Sequence, residues 1–395
     1  HEAHKRYGFQ WEHPLRIPLT EKLASLMPGN ALPRFSFEVS GTEAVESAIH
    51  LALCHTKRRY IISFTSCFHG EGLGTKMVSA YNSANNLYME AWSGGVLKAP
   101  FPYSENIPAG MSQAQYSEYC LWYLETHLPE FVVPAENIAA ILIEPGLAEG
   151  GNWIPSRDFF QGVRRICDKY DWLMIADEVL TGLGRTAKMW GVEHYDVVPD
   201  ILVAGKNMSG GVEPCAGVAA RDDILGDNPR ATAGSTFAGT PAGCAACLKT
   251  LEIYERDNIL AHAAKLADIA TERMALWDSR YDIVTQVRSL GLLMGVSFAG
   301  ESKPGEEFFV ARAVRHEDEV RLVLEHLLGT GRAGQQGQPA VALAELANDR
   351  ELDPRVDADD VRAQAVDQDR LGRRDGAGEV GPLHRRLGGE QLARL

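Results

Sequence analysis

The sequence predicts an α/β protein with a mostly parallel β-sheet, and two observations carry that prediction. Short apolar runs recur from residue 35 onward, and they lack the polar alternation of half-exposed strands, as expected when both faces of a sheet are covered. Most runs end in a turn of polar residues or glycine, and a longer stretch with helical spacing of apolar residues lies nearby. Alternating strands and helices favour an α/β fold with parallel strands.

The individual elements follow from these patterns. A short amphipathic helix is expected over 18–27, where four apolar side chains recur at helical spacing. Further helices are expected over 43–55, 112–128, 159–170, 244–256 and 259–277. Strands are expected over 35–39, 60–64, 138–143, 172–176 and 201–204, and a strand–turn–strand unit over 283–297.

Length, composition and charge exclude several classes of protein. The 395 residues are 45% apolar and 23% charged, which argues against a disordered, collagen-like or coiled-coil chain. The formal net charge of −14 argues against non-specific binding of nucleic acid. Because the sequence has no run of about 18 apolar residues, it predicts no membrane-spanning helix.

The seven cysteines bear on location and on metal binding. Their odd number and wide spread favour a reducing, cytoplasmic location over a disulfide scaffold. Cys244 and Cys247 have the spacing of zinc ligands, but they lie in a predicted helix and have no second pair. We therefore expect no metal site.

The composition changes near residue 310. Residues 1–310 hold all 32 aromatic side chains, whereas 311–395 hold 13 arginines and no Lys, Phe, Tyr, Trp, Ile, Met, Cys or Ser. A segment of this composition can hardly build an ordinary core. We expect that the sequence beyond residues 300–335 is out of frame relative to an ancestral gene and that the start is truncated. A natural disordered or helical extension is the alternative for the tail.

Three motifs lie in predicted turns or loops, and the edge where the parallel strands end is where α/β proteins bind ligands. Gly41 and Thr42 open a predicted helix, where free N–H groups suit a phosphate and an ordinary helix cap is the alternative. Phe68 and His69 come after another strand, where they form either a wall for a stacked ring or part of the core. The loop 234–241 consists mostly of small residues, so it is another candidate for a phosphate or for close approach of the backbone.

Two charged residues complete the set of candidates. Asp177 ends an apolar run, where an ionised carboxylate needs a partner: a metal, a nucleotide-bound cation or a protonated heterocyclic nitrogen. The nucleotide alternative fails, because Lys206 lacks the glycine pattern of a phosphate-binding P-loop and is followed by Asn207. Lys206 follows the run 201–204, so it is either a Schiff-base lysine at the same edge or a surface lysine.

Together these features match the needs of pyridoxal phosphate. The pyridine nitrogen of that cofactor needs an anion to remain protonated, its aldehyde needs an amine, and its ring and phosphate need an aromatic wall and a loop. Six stretches carry a more specific signal: SGTEAVE at 40–46, FHG at 68–70, EPGLAEGG at 144–151, DEVLTGLGRTAKMW at 177–190, VPDILVAGK at 198–206 and GSTFAGTP at 234–241. In content and order they resemble the class III aminotransferases, fold type I enzymes related to 4-aminobutyrate and ornithine aminotransferases.

The resemblance implies a domain organisation and a set of residue roles. A large cofactor-binding domain with a seven-stranded sheet would span 35–250, and an incomplete small α+β domain would begin over 251–310. An N-terminal segment would occupy 1–34, and 311–395 would be the anomalous tail.

Five residues would contact the reactive part of pyridoxal phosphate if the resemblance holds. Lys206 would form the Schiff base and shuttle a proton at the substrate carbon, and Asp177 would keep the pyridine nitrogen protonated. Phe68 would stack on the ring, and His69 and Val179 would line the cofactor.

Other residues would bind the phosphate and the substrates. Gly41 and Thr42 would hold the phosphate, and Thr236 would reach it from the second subunit of a homodimer. Glu149 matches a glutamate that pairs with an active-site arginine in 4-aminobutyrate-type enzymes, so that the site admits either an ω-amine or a 2-oxo acid.

The sequence also departs from the family pattern. Leu180 stands where many members have a glutamine that contacts the phenolic oxygen of the cofactor. Leu147 stands where the family has another glutamine, as in the dialkylglycine decarboxylase branch, whereas Glu149 favours the aminotransferase branch. Nothing after residue 310 resembles the family's carboxylate-binding arginine near a Pro-Pro-Leu motif.

The sequence therefore predicts an aminotransferase that moves an amino group from an amino acid or ω-amine to a 2-oxo acid. A racemase or epimerase, a decarboxylase and an aminomutase of the same fold use the same lysine and aspartate, so they remain alternatives. The alternative of another class is a catalytically inactive or misread chain.

Overall fold

A computed structural model describes residues 13–81, 94–232, 235–281 and 284–298. Its strands are β1 (Arg34–Glu38), β2 (Tyr60–Phe64), β3 (Val96–Ala99), β4 (Ile138–Ile143), β5 (Leu173–Asp177), β6 (Ile201–Ala204), β7 (Ala216–Ala220), β8 (Val284–Leu290) and β9 (Leu293–Phe298). Its α-helices are α1 (Arg16–Leu26), α2 (Gly41–Thr56), α3 (Leu73–Val78), α4 (Gln113–Trp122), α5 (Arg157–Tyr170), α6 (Asp222–Leu225), α7 (Pro241–Arg256), α8 (Ile259–Met274) and α9 (Trp277–Arg280). The expected tail over 311–395 lies outside the described residues.

Seven strands form one sheet in the order β1-β7-β6-β5-β4-β2-β3. Strand β7 runs antiparallel to both of its neighbours, and the other six strands are parallel to one another. The prediction of a mostly parallel, seven-stranded sheet is confirmed. Because parallel strands share an edge at which they all end, the turns after β1, β2, β5 and β6 come to one side of the molecule.

The sheet is buried on both faces, which explains its unbroken apolar runs. All six residues of β4 and all five of β5 are buried. One face packs on α2, whose small residues, such as Ala44, Ala48 and Ala52, let that helix lie close to the strands. The other face carries a larger core with aromatic side chains, among them Phe64, Phe101 and Phe159.

The ends of the long helices follow ordinary capping chemistry. Ser40 precedes α2 and its side chain accepts a hydrogen bond from the Glu43 N–H at 3.2 Å. Helix α2 ends at Thr56, and Lys57, which follows it, has a left-handed backbone with φ of 59°. Ser156 caps α5 in the same way, through the Phe159 N–H at 3.2 Å. The sequence places these helix starts within two residues of where they lie.

A second, two-stranded sheet comes from β8 and β9, which pair as an antiparallel hairpin around Gly291 at φ of 61°. This hairpin confirms the strand–turn–strand unit expected over 283–297. The division into a large domain ending at residue 250 and a small domain beginning at 251 stays a prediction.

Several elements differ from the sequence-based expectation. The helix expected over 112–128 is an α-helix only as far as Trp122 and continues with wider π-helical turns over Tyr123–Val132. Pro129 lies inside this second part, where its missing N–H cannot complete an α-helical turn. Strand β7 was not expected because its sequence, AGVAA, has only one β-branched residue.

Within the described ranges, no helix has both the length and the apolar character needed to cross a membrane. All seven cysteines are free thiols, and in the described part of the chain no group of three or more His, Cys, Asp and Glu side chains has the arrangement of a metal site.

Phe159 tests the aromatic core. Its ring is fully buried, with ring centroids 5.6 Å from Phe101 and 6.1 Å from Phe64. Replacing Phe159 by alanine removes these contacts and leaves a cavity, so we expect the free energy of unfolding to fall by about 3–5 kcal/mol in urea denaturation. Phe131→Ala is the matched control, because Phe131 is 70% exposed and its loss should cost less than about 0.5 kcal/mol. Equal losses in the two variants would contradict this view of the core.

Candidate active site

The predicted site residues lie at the edge where the parallel strands end. Asp177 is the last residue of β5, and Lys206 follows β6 after one glycine. Gly41 is the first residue of α2, two residues beyond the end of β1, and the segment 68–70 follows β2. The structure thus brings to one edge of the sheet the parts that the sequence analysis collected from distant motifs.

Asp177 and His69 form the closest contact in this group. His69 Nδ1 lies 2.8 Å from Asp177 Oδ2, and both side chains are buried. An ionised carboxylate only accepts hydrogen bonds, so Nδ1 must carry the proton that it donates. The second oxygen, Asp177 Oδ1, accepts from the Val179 N–H at 3.1 Å. Both oxygens of this buried carboxylate are therefore oriented by the chain itself.

The neighbours of His69, Cys67 and Asp177, set the protonation state of its imidazole. Burial lowers the pKa of the imidazole, whereas the electrostatic interaction with Cys67, the hydrogen bonds to Asp177 and Cys67 and the charge of Asp177 raise it, and the outcome is a pKa of about 10. At neutral pH the pair is therefore an imidazolium next to a carboxylate. Pairing of this kind offsets the large cost of burying a single charge.

Glu144 ties the loop after β2 to the turn after β4. Its two oxygens accept from the N–H groups of Phe68 and Ala148, each at 2.9 Å. Burial raises the pKa of this carboxyl group to about 7, and the positive charge of His69 opposes the rise. Glu144 is not among the site residues predicted from the sequence, because the two segments that it joins meet only in the folded chain.

Val179 joins the phosphate-loop candidate to the lysine. A Cβ added to Gly41 would lie 2.8 Å from Val179 Cγ1, and one added to Gly205 would lie 3.3 Å from the same atom. The Val179 side chain therefore leaves no room for a side chain at Gly41 and little room for one at Gly205. The side chain of Val179 is half-buried between the start of α2 and the residue before Lys206.

Thr42 meets the loop after β2 in the same close manner. Gly70 has φ of 129°, a backbone conformation that favours glycine, and a Cβ there would lie 2.6 Å from Thr42 Oγ1. His69 is held from behind as well, because its N–H donates to Ser79 Oγ at 2.9 Å. The structure thus links Thr42, Gly70, His69 and Asp177 as one connected group.

Lys206 is in an unusual backbone conformation. Its φ is 36°, in the left-handed region where a lysine is strained, and such strain concentrates at functional sites. Its side chain is exposed. The two alternatives from the sequence, a Schiff-base lysine and a surface lysine, therefore both stay predictions.

Phe68 is half-buried, and its ring meets Tyr81 edge-on with a centroid distance of 5.1 Å.

Two predicted residues stand apart from this group. Thr236 is exposed, and no hydrogen bond in the described part of the chain joins it to Lys206 or Thr42. Gly234 of the same motif lies outside the described residues. Glu149 is exposed at the tip of a turn, and across residues 13–81, 94–232, 235–281 and 284–298 no arginine forms an ion pair with it. The expected partner of Thr236 is the phosphate of a second subunit, and the expected partner of Glu149 is an arginine. The described residues supply neither of these contacts.

Comparison with known proteins assigns the family. A family profile described as "Aminotransferase class-III" matches residues 7–317. The chain therefore belongs to the class III aminotransferases, which depend on pyridoxal phosphate, and the family resemblance inferred from the motifs is confirmed.

Particular relatives are similar over most of the chain. A probable 4-aminobutyrate aminotransferase of Bacillus subtilis (strain 168) is 33% identical over 284 residues, covering 72% of this chain and 65% of that protein. The chain thus spans less than two thirds of the length of this relative. A leucine/methionine racemase of Thermococcus litoralis is 30% identical and covers 82% of this chain and 72% of that protein. The crystal structure of a transaminase from the marine bacterium Virgibacillus has a TM-score of 0.68 and 27% identity, and covers 79% of this chain and 70% of that chain, which confirms fold type I.

The residues present fit pyridoxal phosphate. Gly41 and Thr42 are the first two residues of the 16-residue helix α2, so their N–H groups have no carbonyl partner four residues earlier within the helix, and helix starts of this kind bind phosphates. The buried Asp177 supplies the anion that a pyridine nitrogen needs, and Lys206 supplies the amine.

A pH titration tests the Asp177–His69 pair. The folded-state pKa of about 10 lies above the ordinary histidine pKa of about 6.5, so the stabilisation by the imidazolium is complete below pH 6.5 and is lost as the pH rises towards 10. We expect the free energy of unfolding of the wild type, relative to His69→Asn, to fall by several kcal/mol across this range, since one pKa unit is worth about 1.4 kcal/mol. Asparagine keeps a donor near the Nδ1 position but carries no charge. A difference that does not change with pH would show that His69 is neutral.

Proposed function

We propose that this chain is a pyridoxal-phosphate aminotransferase that moves an amino group from an amino acid or ω-amine to a 2-oxo acid. The observation that carries the proposal is the meeting of three groups at one sheet edge: the paired carboxylate of Asp177, the strained Lys206 and the start of α2. Membership of the class III family supports it, and so does the name of the relative from Bacillus subtilis.

The phosphate would bind at the start of α2. The N–H groups of Gly41 and Thr42 lie in the first turn, where the helix dipole favours an anion. Thr42 Oγ1 lies against Gly70, so its hydroxyl is held close to the loop that carries Phe68. These contacts would fix one end of the cofactor and thereby orient its ring.

Asp177 and His69 would act at the other end of the ring. When bound, pyridoxal phosphate supplies an aldehyde that links to amines and a ring that accepts the electrons of a broken bond at the substrate carbon. The Asp177 carboxylate would hold a proton on the pyridine nitrogen. His69, which donates to Oδ2 at 2.8 Å, and the Val179 N–H, which donates to Oδ1 at 3.1 Å, would keep that carboxylate in place.

Three further side chains would complete the site. Lys206 would hold the cofactor through Nζ and, once displaced by substrate, would move the proton at the substrate carbon. Phe68 would cover one face of the ring, and Val179 would pack against it from between Gly41 and Gly205.

Glu149 would set which substrate enters. Its carboxylate is exposed at the tip of the turn after β4, and its negative charge contributes to the raised pKa of Tyr81, about 12, which is caused mainly by burial and by Glu71. We propose that Glu149 pairs with an arginine when an ω-amine is bound and releases it to bind the carboxylate of a 2-oxo acid. The exposed Thr236 would reach the phosphate of the second subunit in a homodimer.

A racemase of the same fold is the second candidate. The similarity to a leucine/methionine racemase, at 30% identity, favours it specifically. Both reactions would use Lys206 and Asp177, and they differ in whether the amino group leaves with the cofactor. The proposed domains, 35–250 and 251–310, and a cytoplasmic location, supported by seven free cysteines, belong to either function.

Trapping the cofactor tests the proposal. The full chain incubated with pyridoxal phosphate should develop an absorbance band near the visible region that borohydride removes, leaving a mass label on the peptide that contains Lys206. Lys206→Ala should carry no label, because the amine that forms the bond is gone. Lys188→Ala, in the loop before β6, is the matched control and should be labelled like the wild type. Absence of any label on the wild type would overturn the proposal for this chain.

The same holoenzyme separates the two candidate functions. Mixing it with an amino donor in the absence of an acceptor should convert the bound cofactor to pyridoxamine phosphate. A racemase would invert the donor and leave the cofactor spectrum unchanged after turnover.

Subunit complementation tests the role of Thr236. Lys206→Ala and Thr236→Asp should each be inactive, the second because a carboxylate repels the phosphate. If Thr236 serves the other subunit, mixed dimers contain one site that has both Lys206 and Thr236, and the refolded mixture should regain about a quarter of wild-type activity. No recovery, despite mixed dimers seen by native mass spectrometry, would place Thr236 in its own subunit's site or outside any site.

A further inference from the structure

The turn that carries Glu149 is closed by its own backbone. Leu147 and Trp153 exchange two hydrogen bonds, at 2.9 and 3.1 Å, and the N–H groups of Gly151 and Asn152 both donate to the Ala148 carbonyl. Glu149 lies at the exposed tip of this turn, whereas Gly150 and Gly151 beside it are buried. The position of the Glu149 carboxylate therefore depends on what holds the two glycines.

One side of the turn rests on the loop that leads to Phe68. A Cβ added to Gly150 would overlap the Ser66 carbonyl oxygen, so the two backbones are in direct contact. Glu144 accepts from the Ala148 N–H on the same side. These contacts fix the entry to the turn but leave the Gly151 carbonyl facing the β8–β9 hairpin.

Arg288 of β8 binds that carbonyl from the opposite side. Its Nε and Nη2 both donate to Gly151 O, at 3.0 and 2.7 Å, and its Nη1 donates to Ser297 Oγ at 2.7 Å. The guanidinium carbon lies 3.5 Å from the ring centroid of Trp153, at the end of the same turn. Only a planar, delocalised cation can stack on a ring and donate two in-plane hydrogen bonds at once, so lysine cannot replace it.

The surroundings of Arg288 support a dedicated contact. Burial lowers the pKa of its guanidinium to about 10, and the charge of Glu105 opposes this, so the group stays charged at neutral pH. A Cβ on Gly295 of β9 would lie 3.0 Å from Gly151 O, so the hairpin backbone also approaches the turn. Among the described residues no carboxylate is hydrogen-bonded to this partly buried cation, and its side-chain hydrogen bonds go to the turn and to one hydroxyl.

We propose that Arg288 is a positioning residue: it holds the turn 147–153 between the hairpin and the Ser66 loop and thereby fixes the location of Glu149. The consequence for substrate choice rests on the proposed function of Glu149, whereas the positioning itself does not. The β8–β9 hairpin is thus connected to the site because the Arg288 side chain binds the backbone of the turn, and Arg288 itself does not touch substrate.

Hydrogen exchange tests the positioning without any activity. In the full chain loaded with pyridoxal phosphate, we expect Arg288→Met to raise amide exchange in the peptide 147–153 at least about tenfold, because a charge-assisted hydrogen bond and its stacking are lost. Arg288→Lys should behave like Arg288→Met. Arg58→Met is the matched control: Arg58 also donates to backbone carbonyls, those of Ile138, Tyr170 and Asp171, but it lies at the opposite end of β4.

A double-mutant cycle tests whether Arg288 acts through Glu149. Arg288→Met should raise KM for a dicarboxylic 2-oxo acid about tenfold with a smaller change in kcat, while the same change in a Glu149→Gln background should have little further effect. Arg58→Met should change neither constant.

Faster exchange confined to 147–153 in both Arg288 variants supports the proposal. Unchanged exchange, full restoration by lysine, or the same exchange increase in Arg58→Met overturns it. An equal KM effect in both backgrounds overturns the link to Glu149. A wild type without aminotransferase activity would overturn the proposed function alone, and the exchange experiment would still decide the role of Arg288.

Discussion

A carboxylate at the end of a buried strand is the constraint on which the candidate site depends. Asp177 leaves the apolar core at the end of β5, where an unpaired charge would cost several kcal/mol. His69 supplies the opposite charge, and to do so the loop after β2 must fold back over the sheet edge. Ser79 and Glu144 secure that loop through its backbone N–H groups. A single buried ion pair therefore sets the place of the loop that carries Phe68.

The loop after β2 also links Asp177 to the rest of the candidate site. Glu144 bonds both to the Phe68 N–H and to the turn that carries Glu149, and Arg288 holds that turn from the hairpin side. These links run from side chains to backbone groups, which have fixed directions, rather than through apolar packing, which does not. A change at one of these positions should therefore move a neighbouring segment instead of leaving a local cavity.

Much of this arrangement could be predicted from the sequence, because buried parallel strands give unbroken apolar runs and their ends mark the ligand edge. Asp177, Lys206, Gly41 and Thr42 were found in that way, and their family was identified from the surrounding motifs. Strand β7 was not predicted, because its alanines and glycine resemble no strand pattern, and Arg288 was not predicted either. An arginine that binds a carbonyl 137 residues away leaves no periodic signal, since only the fold brings the two together.

The most direct test is the protonation state of the cofactor's pyridine nitrogen in the bound state. The full chain can be loaded with pyridoxal phosphate labelled with nitrogen-15 in the ring, and the chemical shift followed from pH 6 to pH 9 in the wild type and in Asp177→Asn. The account predicts a protonated nitrogen throughout in the wild type and a deprotonated one in the variant, because only the carboxylate offers the proton a negative partner. The same shift in both proteins would contradict the assignment of Asp177 as the partner of that nitrogen.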